Sequence, residues 1–243
     1  MLKSWLARLS GRSPAFPPVA PEHPFYLIGD IHGRADLLDR ALKRLEADHP
    51  VVFVGDYIDR GEDSAGVLRA LIDRPNAHFL KGNHEEMLLS FLGDPITHGP
   101  RWLRYGGLQT LASYGVAGVT ETSKGPELEA VRDALTRAMG PEQIFWLRTL
   151  PLTYRSGNVA VVHAGADPRL DPDSQDSGNL IWGHKDFGRV PRRDGLWIAH
   201  GHTIVDEPVA ERGIISVDTG AYATGRLSVA AIREGGVEFL DIR

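Results

Sequence analysis

The chain has 243 residues, 42% hydrophobic and 24% charged, with no cysteine and a formal net charge of -5. That size and composition suit one large α/β domain, and they exclude disulfides, thiolate catalysis and cysteine-ligated metal. The acidic balance argues against a protein that coats nucleic acid or an anionic membrane. No apolar run approaches the roughly 20 residues that span a bilayer, and freedom from cysteine fits a reducing, cytoplasmic setting.

The opening MLKSWLARLSGR is basic without a long apolar centre, and reads as a frayed leader or a short amphipathic helix. SPAFPPVAPEHP is proline-rich and extended, so residues 1–23 are expected to form a flexible leader and linker before a domain over 24–243. FYLI (25–28) has strand length, and RADLLDRALKRLEAD then puts Leu37, Leu38, Ala41, Leu42 and Leu45 on one helical stripe. VVFV (51–54), the amphipathic DSAGVLRALIDR and AHFL (77–80) repeat the strand–helix–strand order, with Pro75 stopping the second helix. This order predicts an α/β fold that begins with parallel strands. Residues 100–150 look helical with breaks, with a loop at TETSKGPE, and are read with the residues before them as a helical insertion over about 93–150. VAVV (159–162), LWIA (196–199) and IISV (214–217) are apolar enough for strands buried on both faces. LSVAAI and VEFLDI flank REGG as a closing hairpin.

The tails of the strands are more specific. In chain order they read GDIHG (29–33), GDYIDRG (55–61), KGNHE (81–85), HAG (163–165), HGHT (200–203) and DTGAY (218–222). Ligands of open α/β sheets bind beyond the carboxyl ends of strands, so these tails could converge on one rim. Taken singly, Asp30 could cap the next helix, Asn83 could serve a turn, and His163 could be a satisfied core residue. His200 is open between a structural role and support of its neighbour. Together, Asp30, His32, Asp56, Asn83, His163 and His202 offer carboxylate, amide and imidazole donors suited to Mn, Fe or Zn. Six are too many for an ordinary zinc site. They suit two ions sharing one carboxylate, the arrangement that clamps both oxygens of an in-line phosphoryl displacement.

The ordered set GDIHG, GDYIDRG, GNHE, a strand-end histidine and GHT resembles the calcineurin-like metallophosphoesterases, closest to the phosphoprotein phosphatase branch and its small bacterial members. Diadenosine tetraphosphatases are near relatives. The resemblance implies two β-sheets packed between helices in four layers. It implies two divalent ions, manganese first and iron or zinc as alternatives, with Asp30 and His32 on one, Asp56 bridging, and Asn83, His163 and His202 completing the other. His84 would protonate the leaving oxygen, Asp59 would orient His84, and Arg60 would hold phosphate. The expected activity is phosphomonoester hydrolysis on phosphoserine or phosphothreonine proteins, the alternatives being dinucleoside polyphosphate hydrolysis and a silent phosphate-binding module. The chain departs from the branch in two places. Lys81 stands where RGNHE has arginine, and LIWGHKDFG puts His184 where an arginine follows the tryptophan, so both are candidate substrate contacts. Glu85 and Glu86 read only as favourable charges at a helix start.

Overall fold

Strand β1 (Phe25–Ile28) is the pivot of the first sheet. The structure, a computed structural model, describes residues 16–243. From β1 the chain runs through α1 (Ala35–Arg44), β2 (Val51–Phe53), α2 (Ser64–Leu71) and β3 (Ala77–Phe79). Asp63 starts α2 by accepting the Gly66 N–H at 2.7 Å, satisfying one of the first-turn donors. β1, β2 and β3 are parallel, as the strand–helix alternation requires.

The helical stretch is α3 (Asn83–Gly93), α4 (Pro95–Trp102), a π-helical turn (Leu103–Gly107), α5 (Leu108–Ser113) and α6 (Pro126–Thr149). α6 is broken at Gly140, whose φ of 76° interrupts the helix, and Pro141 restarts it where its missing N–H costs least. The second sheet comes next: β4 (Thr153–Ser156), β5 (Val159–Val162), a 3₁₀ turn (Pro172–Ser174), α7 (Ser177–Trp182), β6 (Trp197–His200), β7 (Val209–Glu211) and β8 (Ile214–Ser216). A short α8 (Ala221–Thr224) leads to β9 (Leu227–Arg233) and β10 (Gly236–Ile242), which return to the first sheet as the expected hairpin. The sheet orders are β10-β9-β1-β2-β3 and β4-β5-β6-β8-β7.

Alternation along the strands builds the layers. Phe25, Leu27, Val52, Val54, Ala230 and Ile232 face the second sheet, where they meet Val159, Val161, Trp197, Ala199, Ile215 and Val217. Tyr26, Ile28, Val51, Phe53, Val229 and Ala231 face the helices. On the far side of the second sheet, Ala160, Val162 and Ile198 pack with Leu180 of α7. Helices therefore cover both outer faces of a two-sheet sandwich.

Two elements and one segment differ from the sequence reading. β4 and β7 are antiparallel edge strands that carry too few apolar residues to stand out as buried runs. Of the leader over 1–23, residues 1–15 lie outside the described chain. From Phe16 the segment is extended but packed, because its carbonyls and apolar groups find partners on the second sheet. Phe16 meets Trp197 edge-on at 5.3 Å, Trp197 Nε1 donates to the Pro17 carbonyl at 2.9 Å, and Asn158 bonds both Pro18 and Ala20. Among the described residues no helix is long and apolar enough to cross a membrane.

Leu27 is fully buried between the sheets. Leu27→Ala should destabilise the fold by about 2–5 kcal/mol, the usual cost of a large core truncation. Urea unfolding measures it, and a change below about 1 kcal/mol would mean that the inter-sheet layer closes around the lost side chain.

Candidate metal centre and active site

The carboxyl ends of five strands point their following residues at one place. Asp30 and His32 follow β1, Asp56 follows β2, His163 follows β5, His202 follows β6 and Asp218 follows β8; Asn83 and His84 open α3 just beyond β3. These turns are strained. His32, Asp56, Asp59, Arg60 and His202 all have φ between 45° and 70°, the left-handed region that side-chain-bearing residues avoid. Such conformations cost of order 1–3 kcal/mol each and cluster where function demands a particular side-chain direction. Close approach is equally specific. A Cβ at Gly82 would overlap Asp56 Oδ1, and one at Gly201 would overlap Asp30 Oδ1, so both carboxylates lie directly on glycine backbone.

Asp56 is the hub. Its Oδ2 lies 3.5 Å from His32 Nε2 and 3.9 Å from His84 Nε2, while its Oδ1 lies 3.4 Å from His163 Nε2. Two three-residue groups able to hold an ion result: His32, Asp56 and His84, and Asp56, His163 and His202. Asn83 Oδ1 joins the second, at 2.9 Å from His163 Nε2 and 2.8 Å from His202 Nδ1. Asp30 instead accepts the His202 N–H with both oxygens, at 3.1 and 3.0 Å. It does not cap α1, which has no side-chain cap. His32 Nδ1 donates to the Ile58 carbonyl and His163 Nδ1 to the Val54 carbonyl, so Nε2 is the ring atom that each turns toward Asp56.

The charges are those of a cation site. Burial first, then Asp218 and Asp56, hold Asp30 well above the usual carboxylate range, and burial with the charge of Asp56 pushes Asp218 up to about 6. Burial also raises Asp56, but His163, His84 and His32 outweigh it and hold Asp56 well below the ordinary value. Burial pulls His32 down to about 3 and His202 to about 4, leaving neutral imidazoles able to donate lone pairs. Burial works against the His163 charge too, yet Asp56 and Asp30 drive that ring up to about 10. Three buried carboxylates, with His32 and His202 held neutral beside them, fit divalent cations.

His84 is held from the other side. Its Nδ1 bonds Asp59 Oδ2 at 2.7 Å, and Asp59 is saturated by Trp102 Nε1 at 3.0 and 3.1 Å and by Thr110 Oγ1 at 2.6 Å. Trp102 and Thr110 come from the helical stretch beyond α3, so those helices organise the dyad. Burial disfavours charge on His84, but Asp56 and Asp59 prevail and its pKa is raised. His84 Nε2 is the one buried side-chain polar atom without a hydrogen-bond partner among the described residues. An orphaned donor beside a carboxylate hub calls for a ligand there.

The remaining candidates sit around this core. The Arg60 guanidinium lies 4.8 Å over the Tyr222 ring, close enough to affect His32, His84 and His202 electrostatically. Lys81 Nζ reaches Glu86 at 3.8 Å. His184 lines a cavity of about 370 Å³ with His202, its Nδ1 accepting the Asp186 N–H and its Nε2 3.8 Å from Asp167. His200 is satisfied within the fold by the Gly201 carbonyl and Ser216 Oγ. Asp218 and Glu85 were not among the site residues expected from the sequence. Asp218 ends a strand just as the donors do, and that position was its signal. Glu85 is fully buried and accepts N–H bonds from Asp56 at 2.8 Å, Tyr57 at 2.8 Å and Gly82 at 2.9 Å. It joins the two metal-facing loops, a role that its place at a helix start conceals.

A two-sheet sandwich with carboxylate and imidazole clusters at its strand ends is the framework of a phosphoesterase. The chain belongs to the calcineurin-like phosphoesterase family, whose sequence model matches residues 23–206, and it is a hydrolase of that family. It is similar to serine/threonine-protein phosphatase 2 of Escherichia coli, 41% identical with 86% of this chain and 92% of the relative covered. It is also similar to the asymmetrical bis(5'-nucleosyl)-tetraphosphatase PrpE of Oceanobacillus iheyensis, 25% identical over 89% of this chain and 90% of the relative. A solved structure provisionally described as a diadenosine tetraphosphatase shares the fold, with a TM-score of 0.64, 22% identity, and coverage of 95% of this chain and 99% of that one.

Glu85→Ala would leave three buried N–H groups unpaired, each costing about 1–3 kcal/mol. The variant should lose at least about 3 kcal/mol of stability. Chemical denaturation tests this, and wild-type stability would remove Glu85 from the clamp.

Proposed function

We propose that the chain is a dimetal phosphomonoesterase acting on phosphoserine and phosphothreonine in proteins, in the cytoplasm. The observation that carries this reading is Asp56, whose two oxygens are divided between two histidine groups while the orphaned His84 Nε2 faces the same hub. In this reading Asp30, His32 and Asp56 would hold one divalent ion, and Asp56, Asn83, His163 and His202 would hold a second; manganese fits the donors, as do iron and zinc. The ions, when bound, supply positive charge to the phosphoryl group and acidify water.

The chain's own groups do the rest. Arg60 presents a planar fork that matches two phosphate oxygens, with its guanidinium carried on the Tyr222 ring. His84 delivers a proton from Nε2 to the departing serine or threonine oxygen, a poor leaving group without it. Asp59 fixes the proton on Nδ1 and favours the imidazolium form. The phosphatase reading is supported by the 41% identical relative over 86% of the chain. Dinucleoside polyphosphate hydrolysis is the second reading, supported by the PrpE relative over 89% of the chain. A metal-loaded panel of a phosphoserine peptide, a phosphotyrosine peptide, diadenosine tetraphosphate and an aryl phosphodiester separates the two. Inactivity on every member with both ions bound would leave a silent binding module.

His84→Ala should lower kcat by roughly 10² to 10⁴ on a phosphoserine peptide, the range for a lost general acid. The loss should be smaller on a nitrophenyl ester, whose leaving group needs no proton. Equal losses on both would assign His84 a structural or metal-holding role.

Asp56→Asn should weaken both ions together, whereas His32→Ala should mainly weaken one. Metal analysis after exhaustive dialysis gives the stoichiometry directly. Two ions retained in Asp56→Asn, with activity intact, would defeat the shared-carboxylate assignment.

A further inference from the structure

The loop between α7 and β6, GHKDFGRVPRRDG, carries four cations against two acids in an otherwise acidic chain. Its own acids are already engaged: Asp186 bonds Arg169 at 2.7 Å, and Asp194 pairs with Arg192. Lys185 and Arg189 are exposed and have no carboxylate within 4.0 Å among the described residues. Both line the 370 Å³ cavity that contains His202, and no Asp or Glu contributes to its wall. Arg189 and Phe187 continue into a second cavity of about 310 Å³, where Arg212 adds another cation and Glu211 the one acid. A basic track therefore leads outward from the metal centre on the His202 side.

The His32 side is of mixed charge. Tyr222, whose ring lies 5.3 Å from that of His32, lines a cavity of about 460 Å³ with Arg34, Arg60, Asp36, Glu62 and Asp63. There Arg34 is neutralised by Asp36 at 2.7 Å. Glu62 has no cation within 4.0 Å among the described residues. A substrate crossing the centre thus meets cations at one end and mixed charge at the other.

We propose that the cavity walled by Lys185 and Arg189 is a subsite for a second anionic group of the substrate, a carboxylate side chain on one flank of the phosphorylated residue. The proposal rests on the phosphoprotein reading of the site. A phosphate bound at the centre leaves its peptide flanks lying outward along the cavities, and only the flank directed past His202 reaches Lys185 and Arg189. Fixed charges on a rim act mainly through encounter and binding, and the advantage shrinks with added salt.

The test compares three phosphoserine peptides of equal length, with glutamates on the N-terminal flank only, on the C-terminal flank only, or with glutamine on both. Diadenosine tetraphosphate forms a fourth arm. One acidic flank should raise kcat/KM by roughly 3- to 10-fold over the glutamine peptide, the yield of one or two exposed charge pairs. The gain should lie in KM and fall at high ionic strength, and the other flank should give none. Charge reversal at Lys185→Glu or Arg189→Glu should bring the ratio to one or below, while thermal unfolding of each variant verifies folding. Equal kcat/KM for all three peptides, or a preference that survives both reversals, overturns the subsite and leaves the phosphatase reading standing. Turnover of diadenosine tetraphosphate with none of the peptides overturns both.

Discussion

The arrangement depends on a crowd of buried like charges around Asp56. Asp30, Asp56, Asp218 and Glu85 are all nearly solvent-free, and the first three lie close enough to raise one another's cost of ionisation. Hydrophobic burial holds the two sheets together, but it cannot offset uncompensated charge at their common rim. Much of the local design is a means of tolerating that crowd. Glycines bring carboxylates onto backbone, left-handed residues aim side chains inward, and three N–H groups gathered by Glu85 offset part of its own burial and repulsion from Asp56.

The helices beyond α3 share in the same problem. Asp59 is fully buried beside His84, and three donor contacts from Trp102 and Thr110 keep its carboxylate satisfied in one orientation. Thr110 Oγ1 and Ser64 Oγ also accept the Asp59 N–H, tying α2 and α5 to the strained loop. Trp102 in turn stacks on Phe91 of α3 at 4.5 Å, the helix that carries His84. Packing of these helices and orientation of the proton donor are therefore one structural matter.

Much of this was legible in the sequence because strand ends are where an α/β fold gathers chemistry, and apolar runs mark strand ends well. Asp30, His32, Asp56, Asn83, His163 and His202 all follow such runs, and the structure brings them together. Glu85 does open α3 as the sequence implies, accepting the Gly82 N–H, but its further bonds to Asp56 and Tyr57 reach back nearly thirty residues and leave no local signal. Trp102 and Thr110 were invisible because their partner, Asp59, lies more than forty residues earlier, and no local pattern records a contact of that span. β4 and β7 went unseen because edge strands need fewer apolar residues than central ones.

The strand order also governs how the molecule can be made. β1 lies between β2, which leaves the ribosome soon after it, and β9, which begins only at Leu227. Through most of synthesis one side of β1 has unpaired N–H and C=O groups, while the second sheet, from residue 153 to 216, is already complete. Long-range strand pairing of this kind is slow and leaves sticky edges during folding. The segment from Leu227 onward, β9 and β10 together, thus closes the first sheet, and a nascent chain stalled short of it would present the fold's central strand to its neighbours.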